Sequence, residues 1–169
     1  MKKGFTLIEV MIVTGLIAVL TGAVSWVFIV GLKTWSSGMD RTDIREGGVL
    51  AMERMVRDLS QAGPITAATT TAITFTADVD NDSVNETVTF SRDANNNLIR
   101  TVDGAAITLT PNAQTLTFSY TDLNNNTLTP PLTGAQLDSI RVVTVVLTMN
   151  KANETYTLSS SAYTRNQIL

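Results

Sequence analysis

Phe5-Thr6-Leu7-Ile8-Glu9-Val10-Met11-Ile12-Val13-Thr14 opens a run that stays apolar as far as Leu32, and Glu9 is the only ionisable side chain in it. The run holds 28 residues. As a helix it is about 42 Å long, more than the roughly 20 residues a bilayer requires. Lys2 and Lys3 precede it. By the positive-inside rule they keep the N-terminus in the cytoplasm and send the rest of the chain across. A secretory signal has an apolar core of about 7–15 residues and then small residues at a cleavage site. This run is about twice that long, and Ala18 and Gly22-Ala23 form no A-x-A site. A plain signal anchor has no use for Glu9. A carboxylate at mid-bilayer costs about 2.5–3.5 kcal/mol on insertion scales, so it calls for a partner.

Outward from this run the helix continues. No proline occurs before Pro64. Gly15 and Gly22 are seven apart, as are Gly31 and Gly38, so each pair lies on roughly one face. That spacing suits close helix packing, in preference to a local melting of the helix. After Lys33 the pattern becomes amphipathic. Val49, Met52, Val56 and Leu59 make one apolar stripe, and Arg41, Asp43, Arg45, Glu46, Glu53, Arg54, Arg57 and Asp58 form the expected solvated face. Glu53–Arg57 and Arg54–Asp58 are i,i+4 pairs. Gly47-Gly48 reads as a bend, and Gly63-Pro64 as the stop. Residues 5–62 then form one helix of about 87 Å.

Beyond Pro64 the period falls to two. Ala72–Thr76, Thr87–Phe90, Leu98–Val102, Ile107–Thr110, Leu116–Tyr120, Val142–Thr148 and Tyr156–Tyr163 read as about seven antiparallel strands. Asn95-Asn96-Asn97, Asp103-Gly104, Asn124-Asn125-Asn126 and Pro130-Pro131 mark turns between them. The fold class is α+β: a long N-terminal helix, half membrane and half amphipathic, packed on an antiparallel β-sheet head. Four segments follow: 1–4, 5–32, 33–63 and 64–169.

Lys3-Gly4-Phe5-Thr6-Leu7-Ile8-Glu9-Val10 resembles the processing site of type IV prepilins and type II secretion pseudopilins. The resemblance implies that a membrane prepilin peptidase cuts between Gly4 and Phe5, removing residues 1–4 as a leader, and that Phe5 is then N-methylated. It implies that Glu9 is the assembly glutamate. Cleavage leaves a positive amine on Phe5, and a carboxylate in hydrocarbon is stabilised by such a charge from the same or a neighbouring subunit. The helix ending Met52–Leu59, the strand Ile73–Asp78 and a last strand ending near Arg165-Asn166 resemble PilW-like and GspJ-like minor pilins. The C-terminal Cys pair of many major pilins is absent. The implied partners are the peptidase, other pilin or pseudopilin subunits, an inner-membrane assembly platform and the lipid bilayer. The implied location is the bacterial inner membrane, head outward, and then a pilus or pseudopilus.

Asp78, Asp80, Asp82 and Glu86 stand at positions 1, 3, 5 and 9 of a calcium loop, and Val84 offers its carbonyl at position 7. Ser83 replaces the usual glycine and Thr89 the usual glutamate. The same loop also reads as a hairpin whose side chains cap its own backbone. Apart from possible Ca²⁺, no cofactor is expected.

The chain has no His and no Cys. That excludes His-dependent nucleophiles, the usual zinc sites and disulfides. Asp138 and Glu154 read as isolated, no Ser has a base, and no enzyme is expected. Residues 60–169 carry nine acidic and five basic side chains, so no nucleic-acid partner is expected. The Asn-x-Ser/Thr tripeptides at Asn85, Asn125 and Asn153 are ordinary in so Asn- and Thr-rich a chain. The sequence thus reads as a minor pilin or pseudopilin. The alternative is a membrane-anchored binding protein or adhesin that never polymerises.

Overall fold

The computed structural model describes residue 4, residues 6–152 and residues 154–165. The chain forms two compact units, 1–39 and 40–169. Helix α1 (Leu7–Ser60) is unbroken over 54 residues and contributes to both.

In the first unit every described residue is exposed. One 18-residue window of α1 has a mean hydropathy of 2.3, and among the described residues α1 is the helix long and apolar enough to cross a membrane. Its threonines fit that solvent. The hydroxyls of Thr14, Thr21 and Thr34 donate to the carbonyls of Val10, Ile17 and Val30 at 2.9, 2.8 and 3.0 Å. A hydroxyl bonded to the turn before it presents no unpaired donor to hydrocarbon.

In the second unit α1 packs on two antiparallel sheets. The first has the order β1 (Ile65–Ala68), β2 (Ile73–Ala77), β3 (Glu86–Arg92), β4 (Leu98–Val102), β5 (Ala105–Thr110). The second has the order β7 (Thr127–Leu128), β6 (Ala113–Thr121), β8 (Val142–Lys151), β9 (Glu154–Tyr163). A single turn of helix, α2 (Ala135–Asp138), precedes β8. Nine strands in two sheets among the described residues replace the seven expected in one head. The two that the pattern missed, β1 and β7, are four and two residues long, too short to show a period.

Alternation places one face of each sheet inward. The registers Phe75↔Val88, Phe118↔Val145 and Tyr120↔Val143 set fully buried side chains opposite one another. The Phe75 and Phe90 rings lie 6.0 Å apart, centroid to centroid. The Tyr120 hydroxyl donates to the Thr69 carbonyl at 2.7 Å, and burial pushes that phenol's pKa well up.

The buried face of α1 is Ile44, Gly48, Ala51, Met52, Met55, Asp58 and Leu59. The expected stripe is right at Met52 and Leu59, but Val49 and Val56 are only half buried. The face is centred on Met55, which is fully buried. Gly47-Gly48, expected as a bend, lies inside the unbroken helix and has another use. A Cβ on Gly48 would sit 2.6 Å from Met149 Sδ and 2.7 Å from Leu158 Cδ1. The glycine lets the helix backbone lie against β8 and β9. The helix ends at Ser60, and the Gly63 amide then donates to Thr76 at 2.7 Å, handing the chain to the first sheet.

Asp58 corrects another expectation. It is not on a solvated face but buried, at 1% exposure, with Arg100 Nε donating to it at 2.7 Å. Arg54 and Arg57 approach its other oxygen at 3.4 and 3.8 Å. Arg100 is itself 5% exposed. Removing one partner of such a buried pair typically costs about 3–5 kcal/mol, because the other charge is stranded. Glu154 is not isolated either. It pairs with Arg41 at 2.9 Å, while Lys151 reaches Asp40 at 3.0 Å and Asp43 at 2.7 Å. These contacts fasten the β8–β9 turn to the start of the packed part of α1, and the two carboxylates, Asp43 foremost, hold the Lys151 pKa above its usual value.

Candidate functional site

The first candidate site is the N-terminal turn of α1. Gly4 is exposed, and Phe5, Lys2 and Lys3 lie outside the described residues. Glu9 turns back on Thr6. Its Oε2 accepts the Thr6 amide at 3.0 Å and the Thr6 hydroxyl at 3.1 Å, while the Glu9 amide donates to Thr6 Oγ1 at 3.4 Å. This is a capping box, in which a Thr and a Glu three residues apart satisfy two orphan amides reciprocally. Carboxylate charge at the first turn also suits the helix dipole. Thr6 is a site residue that the charge argument on Glu9 passes over. Its signal, Thr-x-x-Glu before an apolar run, is local and legible.

Glu9 carries an anionic acceptor already held by two donors of its own chain. An ammonium group arriving from outside competes with those bonds and offers charge in exchange.

The second candidate is the β2–β3 loop. Asp78, Asp80 and Glu86 each bring one carboxylate oxygen within 4.8 Å of the others, and among the described residues they are the group placed to hold a metal ion. Asp82 stands outside that trio. The Asp82 carboxylate accepts the Val84 amide at 2.7 Å. Asp78 accepts the amides of Asp82 and Ser83 at 3.2 and 3.0 Å, and Glu86 accepts that of Val79 at 2.9 Å. Asn81 and Ser83 take positive φ to make this tight path. The loop thus closes on its own amides while three carboxylates converge.

An apolar helix with a lone, capped glutamate at its start, continuing into a helix packed on antiparallel sheets, defines a pilin-like α+β architecture. The family model described as the prokaryotic N-terminal methylation motif matches residues 1–25. The match supports a type IV pilin-like role for the chain and implies processing by prepilin peptidase and assembly with pilin subunits. With the apolar helix it is consistent with a membrane-anchored, single-pass protein. No curated protein matches the chain.

Proposed function

We propose that the chain is a minor type IV pilin or a type II secretion pseudopilin, a structural subunit that starts or joins a filament and performs no chemistry of its own. The observation that carries this reading is the methylation motif over residues 1–25, with Glu9 alone in the apolar run. In this reading a prepilin peptidase hydrolyses the Gly4–Phe5 bond and Phe5 is N-methylated. The Phe5 ammonium of a neighbouring subunit then takes over Glu9 from Thr6. The filament core exchanges the bilayer for other apolar helices, so burial of apolar surface is preserved as the subunit leaves the membrane. The head projects outside the cytoplasm, and an inner-membrane platform drives the step. The looser likeness of Met52–Leu59 and Ile73–Asp78 to minor subunits supports "minor" over "major".

The intact mass of the membrane-extracted chain tests this. Loss of residues 1–4 with gain of one methyl group is expected. A full-length mass in a host with active prepilin peptidase overturns the reading and favours an anchored binding protein that does not polymerise.

For the β2–β3 loop we propose weak Ca²⁺ binding by Asp78, Asp80 and Glu86, favoured by their convergence within 4.8 Å. Each carboxylate oxygen retains a lone pair beyond its amide bond, and hard oxygen donors suit this ion. Lacking a bidentate group at position 12, the loop falls in the range of about 10⁻⁴–10⁻³ M seen in extracellular calcium modules. Calorimetry should show heat of binding at millimolar Ca²⁺ that Asp80→Asn abolishes. A flat titration removes the proposal.

A further inference from the structure

The two sheets end in four edges among the described residues, and two, β7 and β1, are blunted. An exposed edge is a template for another strand unless it is short, bulged, charged or covered. β7 has two residues. β1 has four, carries a register shift and is bridged through Ala68 to Leu132. β5 has six residues and is regular from Ala105 to Thr108, its register shift lying only at the far end. β9 carries a single charge, Glu154 at its first residue, and is otherwise without these devices. It pairs with β8 through ten consecutive residues without a bulge, and Thr155–Tyr163 contains no charge and no proline. Beside it, between β9 and α1, runs an apolar groove of ≈ 390 Å³, lined by Val49, Met52, Val56 and Leu158 together with Glu53 and Arg57, whose charges cancel.

β5 offers what this groove lacks. It is also uncharged. Ile107 stands opposite Arg100 in the ladder, and cross-strand partners share a face. Arg100 is buried against Asp58 of α1, so Ile107 is on the helix side of its sheet. Yet Ile107 is 54% exposed, a half-open apolar side chain on the core face. We propose that β5 of one copy adds to β9 of the next, with Ile107 entering the groove between β9 and α1.

Charge selects this contact. Residues 60–169 carry nine acidic and five basic side chains, so two such surfaces repel in general. A neutral edge laid on a neutral edge avoids that repulsion. The contact is heterologous, so it builds rows or rings of copies instead of two-fold dimers. Antiparallel pairing of β9 with β9, about a two-fold axis normal to the sheet, reverses every direction in the plane of the sheet, the packed part of α1 included, so copies aligned the same way cannot meet so. The parallel alignment of copies rests on the pilin-subunit reading; the shape and neutrality of the two edges do not.

The chain has no cysteine, so two substitutions report cleanly. Full-length protein, co-expressed with prepilin peptidase, is placed in phosphatidylethanolamine–phosphatidylglycerol vesicles and treated with a short bis-maleimide. The double variant Ile107→Cys/Ser160→Cys should give dimers and a ladder. A mixture of the two single variants should give dimers only, and each single variant alone should give none. Dimers from Ser160→Cys alone mean that β9 pairs with itself and overturn the proposal, as does a double variant that stays monomeric. Hydrogen exchange on the unsubstituted chain gives a second readout. Alternate amides of β9 should slow when the vesicles are densely loaded, and exchange that does not change with loading also overturns it. The intact mass of the same sample keeps the two readings apart. A full-length mass counts against the pilin reading whatever the gel shows, and absent cross-links count against the pairing whatever the mass.

Discussion

Asp93-Ala94-Asn95-Asn96-Asn97 and Asp122-Leu123-Asn124-Asn125-Asn126 close in the same way. In each, the Asp Oδ1 accepts the amides two and four residues on, at 2.9 and 2.7 Å for Asp93 and 2.8 Å for both at Asp122. In each, the last Asn Nδ2 donates to Oδ2 at 2.9 Å, and the fourth residue, Asn96 or Asn125, takes positive φ. Asn tolerates that conformation better than most side chains. The bonds favour the charged carboxylate, so both pKa values are lowered from 3.8: Asp93 chiefly by the Asn97 amide, Asp122 chiefly by the Asn126 side chain. A group whose pKa falls on folding stabilises above its unfolded value and loses that contribution as pH drops through the folded one. Both turns should therefore hold at neutral pH and loosen only below the ordinary aspartate range. Carboxyl chemical shifts followed by NMR should show two midpoints below 3.8. Asp122→Ala should speed exchange of the Asn124 and Asn126 amides and leave Asn95 and Asn97 slow. A midpoint at the ordinary value would show the bonds to be absent in solution.

Between α1 and the sheets, the separation is set by glycine. Replacing a helical glycine by another residue usually favours the helix by up to about 1 kcal/mol. At Gly48 the gain is opposed, because Met149 and Leu158 already occupy the place of the new atom. Gly48→Val should lower stability by about 1–3 kcal/mol, the usual range for overpacking, read as a lower denaturant midpoint. An unchanged midpoint would mean that the Met149 and Leu158 side chains move aside and that Gly48 does not set the separation. This contact also marks how far the sequence could be read. The long helix and seven of the strands were legible, because an unbroken apolar run and strict alternation are local signals. The phase of the helix face was not. Ile44, Met55, Val49 and Val56 are all apolar, and only the placement of two sheets, where one head sheet was expected, decides which are covered. Asp58 was illegible for a related reason: its partner Arg100 lies 42 residues away. Gly4 and Glu9 could be singled out because their signal is contained in a few consecutive residues, and Thr6 was available by the same logic. The β2–β3 loop was half legible, since spacing brings Asp78, Asp80 and Glu86 together but the backbone turns Asp82 away.

At the scale of the whole molecule, the chain combines parts with opposite requirements. Unit 1–39 exposes leucine, isoleucine, valine and tryptophan on all sides, while unit 40–169 has its own core, with 25 buried apolar residues among those described. A surface as apolar as the first is stable only in lipid or against other apolar helices. Glu9 is the one group in the run able to tell those two settings apart. In the chain by itself its partner is Thr6; in the proposed filament a processed neighbour offers an ammonium group. Glu9→Gln keeps an acceptor for the Thr6 amide and removes the charge, so it separates capping from assembly. The variant should insert, fold and lose residues 1–4 like the unsubstituted chain, since cleavage lies at Gly4 on the other side of Phe5. It should be missing from sheared filaments or secretion-complex fractions, and Glu9→Ala should be missing too. If capping were the whole role of Glu9, the Gln variant would enter at the normal level and only the Ala variant would fail. If both enter normally, the charge has no part in assembly, and the proposed exchange from Thr6 to a neighbouring Phe5 amine is wrong.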